Sequence, residues 1–187
     1  MGKTETARMF ARLGVPVYDA DAVVHALYET GGGAVDAIAA AFPGAVKEGR
    51  VDRLELAGQV GGDEEAFRRL EAIVHPLAAK AQQDFLADAI ARNEPMVVLD
   101  IPLLFETGAD ARMDAVVVVS APAEVQRVRV LSRHGMTPER LDNILARQLP
   151  DAEKRAKAQF VVETGKGLNQ AFEQVKAIVA QLRKKHA

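Results

Sequence analysis

Two stretches set the terms for what this chain can fold into: Met96-Val97-Val98-Leu99-Asp100-Ile101 and Asp114-Ala115-Val116-Val117-Val118-Val119. Both are apolar at consecutive rather than alternate positions, relieved by a single aspartate. A strand with one wetted face alternates, so unbroken runs of β-branched residues belong to strands covered on both faces, as in a parallel sheet between helical layers. Phe160-Val161-Val162-Glu163 is a shorter case. Val15-Pro16-Val17-Tyr18-Asp19 is another, with its proline at the strand entry, where a missing N–H is tolerated. Helical patterns separate the four, so the expected architecture is a three-layer α/β fold with a mainly parallel sheet. In such folds ligands bind at the carboxyl ends of the strands.

The helices are legible from their apolar spacing and their punctuation. Residues 4–13 place Ala7, Phe10, Ala11 and Leu13 on one face and stop at Gly14 and Pro16. A second helix is expected from about Asp21 to Tyr28; Gly31-Gly32-Gly33 breaks it before an alanine-rich helix that ends at Phe42-Pro43-Gly44. Asp52 and Asp63 are placed as N-caps of two short helices, the second carrying Phe67, Leu70, Ile73 and Val74. His75-Pro76 reads as a turn, with His75 held extended and Pro76 starting a further helix that ends at Asn93 and Pro95. The middle of the chain is thus expected to be all-helical. Thr137-Pro138 opens a helix running to Gln148, and Pro150-Asp151 starts another. Leu168, Ala171, Phe172, Val175, Ile178, Val179 and Leu182 line one face of the last helix.

Composition narrows the function. The 187 residues fit one domain with room for an inserted subdomain. A content of 49% hydrophobic and 27% charged residues is that of a folded protein, not a disordered one. The net charge of −2 supplies no global field to draw the chain onto nucleic acid or anionic lipid, so an anionic ligand must be held locally. The absence of cysteine excludes disulfides, thiolate metal sites and a cysteine nucleophile. No apolar run approaches the roughly 20 residues of a membrane helix, and Lys3, Glu5 and Arg8 break any signal-peptide core, so a cytoplasmic protein is expected. The terminal Arg183-Lys184-Lys185 reads as a solvated tail complementing a helix dipole.

Gly2-Lys3-Thr4 matches the end of the G-x-x-x-x-G-K-[ST] phosphate loop and directly precedes a helix, where such a loop must open. There the backbone N–H groups cradle phosphates, the lysine reaches the β/γ oxygens and the hydroxyl binds Mg²⁺; the alternative is an ordinary N-terminal tail. Asp19 and Asp21 end the first visible strand at spacing two, which in strand geometry points both carboxylates to one side of the sheet. One could order metal-bound water while the other orients or deprotonates an acceptor hydroxyl; the bland alternative has Asp21 capping the next helix. Asp100 closes a strand of the Walker-B kind, where an acid can bind magnesium through water, and the apolar loop 101–106 after it could floor a substrate pocket; the alternative has Asp100 capping that loop. Arg127, Arg129, Arg133, Arg140, Arg147, Lys154, Arg155 and Lys157 give the later chain a basic excess from which a flap could bring cations over the phosphates, although spacing does not select among them.

In order, these pieces resemble the dephospho-coenzyme A kinases over essentially the whole chain: Gly2-Lys3-Thr4, Val17-Tyr18-Asp19-Ala20-Asp21, Val51-Asp52-Arg53 and Ile73-Val74-His75-Pro76-Leu77. Ile101-Pro102-Leu103-Leu104-Phe105-Glu106 and Ile144-Leu145-Ala146-Arg147-Gln148 complete the series. The resemblance implies a P-loop kinase fold, 3′-phosphorylation of dephospho-coenzyme A by ATP with Mg²⁺, a helical substrate subdomain over residues 29–92 and a lid over residues 136–158. It implies that Met1, Gly2, Lys3, Thr4 and Glu5 contact the nucleotide, with Lys3 and Asp21 catalytic and Thr4 and Asp100 serving the metal. Asp19, Asp21, Arg53, His75, Pro76 and Leu103 would face the acceptor, and Arg147, Gln148, Lys154 and Arg155 would belong to the lid.

Three departures stand out. The family pattern opens with an apolar strand and the first half of the loop, which here would precede Met1, so the expectation is of a truncation or a late start codon and of two unpaired strand edges. Glu5 stands where a second hydroxyl is common, and Asp151 and Thr164 replace an arginine and an asparagine. The alternatives left open are another P-loop kinase acting on a nucleoside or nucleotide, and a catalytically dead binding protein.

Overall fold

The computed structural model describes the backbone of residues 2–185 and the side chains of residues 2–184. In chain order the elements begin with α1 (Lys3–Arg12), β1 (Val17–Asp19), α2 (Ala20–Tyr28), α3 (Val35–Ala41), β2 (Val46–Lys47), β3 (Arg50–Val51), α4 (Arg53–Val60) and α5 (Glu64–Ala91). They continue with β4 (Val98–Asp100), β5 (Val117–Ser120), α6 (Ala123–Leu131), α7 (Pro138–Ala146), α8 (Asp151–Lys157), β6 (Phe160–Glu163) and α9 (Leu168–Lys185). The chain divides into two compact units, one of residues 2–17 with 94–185 and one of residues 18–93.

In the first unit the apolar faces of the first and last helices make the core. Met9 and Phe10 of α1 pack with Ala171, Val175, Ile178 and Val179 of α9, around Val15 and the fully buried Val162 of β6. Burying a phenylalanine such as Phe10 contributes about 2–3 kcal/mol. Gly14, at φ 75°, ends α1 as its sequence predicts: its N–H donates to the Ala11 carbonyl at 3.0 Å and the chain turns back. Val98 then donates its N–H to the Pro16 carbonyl at 2.9 Å. β5 and β6 run parallel, in register from Val117 opposite Phe160 to Ser120 opposite Glu163. Met96, Val98, Val117 and Phe160 all rest on the same core, yet no ladder joins β4 to β5 among the described residues. The parallel pairing is as expected, but it runs in short ladders where one continuous sheet would be larger.

The second unit is mainly helical, with Ala34, Val35, Ile38, Phe42, Ala45, Val51, Leu56 and Ala66 as its core. Asp52 and Asp63 cap α4 and α5 as predicted, each through two backbone N–H groups. Two expectations are corrected here. The region is not all-helical: β2 and β3 pair antiparallel about Glu48 and Gly49, both at positive φ (52° and 75°), as a two-residue hairpin turn requires. Nor does His75-Pro76 separate two helices, because α5 runs through Pro76 for 28 residues. An interior proline costs about 3 kcal/mol. Leu70, Ile73, Val74 and Leu77 flank it on buried or half-buried positions, each contributing roughly 1.5–3 kcal/mol when fully buried, and this packing outweighs the break.

Candidate active site

The first unit brings a cation and an acid together at a helix start. Gly2 caps α1 in the left-handed region, at φ 99°, and a Cβ there would come within 3.3 Å of Thr164. Lys3 is the first residue of α1, so its ammonium stands beside the partial positive charge of the helix N-terminus. Its Nζ lies 2.7 Å from Oδ1 of Asp100, a carboxylate only 7% exposed at the carboxyl end of β4. Thr4 and Glu5 are exposed in the same first turn. Glu5 is taken up by Arg8 one turn on, which answers its charge locally. Met1 lies outside the described residues.

The loop after Asp100 is strained. Leu103 sits at φ 56°, a conformation bulky side chains avoid, and is 43% exposed. Thr107 Oγ1 donates to the Leu103 carbonyl at 3.0 Å and stabilises the turn. The residues of the expected lid divide. Arg147 ends α7, exposed, and lines a groove of about 550 Å³ with His134, Arg140 and Ile144. Gln148 is half-buried beside it. Lys154 is held by Glu106 at 2.9 Å, both side chains 16% exposed. Arg155 is held by Glu163, whose hydrogen bond and charge raise the guanidinium's pKa.

In the second unit Asp19 and Asp21 do not both end a strand. Asp19 closes β1 and turns at once to cap α2, accepting from the Ala22 N–H at 2.9 Å, while Asp21 lies exposed in the first turn of that helix. The strand reading put both carboxylates on one side of a sheet; the structure places one at a cap and the other on a helix, because the cap hydrogen bond starts the helix one residue sooner. Arg53 opens α4, its Nη2 donating to His25 Nδ1 at 2.8 Å and its guanidinium 5.6 Å from the centre of the Tyr28 ring. Burial raises the Tyr28 phenol's pKa, and Arg53 opposes that shift. His75 is exposed on α5, 3.8 Å from Glu71, with Pro76 next to it in the helix.

Comparison with known proteins decides the family. The family model described as dephospho-CoA kinase matches residues 1–170. The chain belongs to the dephospho-CoA kinase family. Curated dephospho-CoA kinases from Rhodopseudomonas palustris and Mesorhizobium japonicum are each 55% identical to it, over 98% of this chain and 92% of theirs. A crystal structure from Thermus thermophilus is 36% identical with a TM-score of 0.79, covering 97% of this chain and 92% of that one. A dephospho-CoA kinase structure from Campylobacter jejuni, 23% identical, shares the fold at a TM-score of 0.71 over the whole chain and 94% of its own.

Within this kinase family member, several polar pairings are not encoded in sequence spacing. Glu106, the last residue of the motif at 101–106 that carries the resemblance, finds its partners Lys154 and Leu149 only in the fold. Ser120 Oγ donates to Asp151 Oδ2 at 2.8 Å, and Arg129 donates to the Thr164 hydroxyl and carbonyl at 3.2 and 2.9 Å. His25 lies one turn from Asp21 on α2, a spacing that places the two on one face of the helix and is visible in the sequence. No helix among the described residues is long and apolar enough to cross a membrane.

Proposed function

We propose that this protein transfers the γ-phosphoryl group of ATP to the ribose 3′-hydroxyl of dephospho-coenzyme A, giving ADP and coenzyme A, the last step of coenzyme A synthesis. The observation that carries the reading is the 2.7 Å pair of Lys3 and Asp100, an ammonium at a helix N-terminus against an acid at a strand's carboxyl end, in a chain of this family. The helix start and Lys3 would bind the phosphates of ATP and stabilise charge that grows on them in the transition state. Asp21 would orient the acceptor hydroxyl. The 3′-oxygen bonds to the γ-phosphorus as the bond to the β–γ bridging oxygen breaks, ADP keeps that oxygen, and the hydroxyl proton passes to Asp21. Arg53, His75, Pro76, Asp19 and Leu103 would face the acceptor, with Arg147 and Gln148 over the nucleotide.

Magnesium fits this donor set. Mg²⁺ prefers hard oxygen ligands and takes one or two from protein, the rest from water and phosphate. Thr4 Oγ1 and the Asp100 carboxylate would supply these, with Asp19 in the water shell. No group of three or more His, Cys, Asp or Glu among the described residues forms a ready metal cage. When bound, the ion neutralises charge on the phosphoryl oxygens. With ATP as phosphoryl donor and small soluble substrates, the reading carries a cytoplasmic setting. Coupled ADP release on addition of dephospho-coenzyme A tests it; release with a nucleoside and none with dephospho-coenzyme A would replace it with a different kinase activity.

A further inference from the structure

Helix α8 has seven residues, too few to hold its place by its own hydrogen bonds, so what ties it down decides where the segment before it lies. Three side chains do this within the first unit. Ser120 at the end of β5 donates to Asp151, and Glu163 at the end of β6 holds Arg155. The third is Glu106, and it differs from the others in gripping backbone as well as side chain: its Oε1 accepts from the Leu149 N–H at 2.7 Å and from Lys154 Nζ at 2.9 Å. Leu149 directly follows Arg147 and Gln148, and Glu106 closes the loop that starts at Asp100, so one carboxylate links the metal-side strand end to the lid backbone.

We propose that Glu106 is the lid's positioning residue, clasping Leu149 and Lys154 so that Arg147 and Gln148 are presented to ATP. Lys154 is then a strut rather than a phosphate ligand: it is mostly buried and already paired, whereas Arg147 is exposed. The inference rests on the proposed reaction for its nucleotide, but the clasp itself does not. Glu106→Gln keeps an acceptor for the Leu149 N–H and loses the ion pair. Glu106→Ala loses both, and Lys154→Met loses only the ion pair.

Two measurements test this together: hydrogen exchange of peptides spanning residues 147–157 in the ligand-free protein, and steady-state kinetics against each substrate. Glu106→Ala is expected to speed exchange across residues 147–157 and to raise KM for ATP about tenfold, the size of one lost charge-assisted hydrogen bond. Glu106→Gln and Lys154→Met are expected to give smaller and mutually similar increases, all with KM for dephospho-coenzyme A unchanged. A role in folding alone would lower the melting temperature and kcat while leaving both KM values in place, and that pattern overturns the proposal. So does unchanged exchange in Glu106→Ala. A wild-type protein without kinase activity would remove the proposed reaction, and the exchange measurement would still uphold or overturn the clasp.

Discussion

Thr6 is buried at 3% exposure on α1, and its hydroxyl has no hydrogen-bond partner among the described residues. A buried hydroxyl left unsatisfied costs about 1–3 kcal/mol, and valine has nearly the same shape and the same β-branch. Thr6→Val should therefore stabilise the protein by about 1 kcal/mol and raise the melting temperature by roughly 2–4 °C, read by circular dichroism. Lys3→Ala and Asp21→Asn should each lower kcat by at least about a hundredfold, from lost charge stabilisation and lost acceptor activation, while leaving the fold intact. Wild-type rates in either would remove its role. Glu106 adds a pH dependence. Burial raises its pKa, but the Lys154 ion pair and the Leu149 N–H outweigh burial and bring it below the usual carboxylate value. A depressed acid contributes its stability above the unfolded-state pKa and loses it as pH falls through the folded one. The difference in melting temperature between wild type and Glu106→Gln should be full at neutral pH and fade below about pH 4; a difference constant down to pH 3 (roughly, on the same scale) would contradict it.

Pro76 is the clearest conflict between a local rule and the packing around it. It removes a helical N–H in the middle of α5, and the packing of the apolar residues on either side offsets that loss. Pro76→Ala should stabilise the protein by roughly 1–3 kcal/mol in denaturant unfolding and, with Pro76 facing the acceptor as proposed, raise KM for dephospho-coenzyme A. A gain in stability with no change in that KM would assign Pro76 to structure alone. The same conflict explains what the sequence could and could not yield. The strands at Val98–Asp100, Val117–Ser120 and Phe160–Glu163 were legible because continuous apolar runs have few other uses, and Asp52 and Asp63 because a cap acts on the next three residues. The course of α5 was not legible, since residues distant in sequence hold it. The Glu48-Gly49 hairpin was not legible, because the strands it joins are two residues each. Lys3 and Asp100 were singled out from motif position, but their meeting at 2.7 Å and the Glu106 contacts depend on tertiary placement that no spacing encodes.

The two compact units carry separate groups of the proposed machinery. Lys3, Thr4, Asp100 and the lid belong to one, and Asp19, Asp21, Arg53 and His75 to the other. With a net charge of only −2, the field of the whole protein does little to attract ATP and dephospho-coenzyme A, and the proposed reaction assigns that attraction to these local groups and to magnesium. Chelation of divalent cations should abolish turnover, and added Mg²⁺ should restore it without any change in the circular dichroism spectrum, because in the proposed reaction the metal serves the phosphates and not the fold. The most direct test of the account is ADP release by purified protein given Mg-ATP, with and without dephospho-coenzyme A, and mass analysis of the product. The account predicts release that depends on dephospho-coenzyme A, a product phosphorylated at the 3′-hydroxyl, and loss of both in Lys3→Ala. Folded protein that binds both substrates yet releases no ADP, or releases it equally without the acceptor, would contradict it.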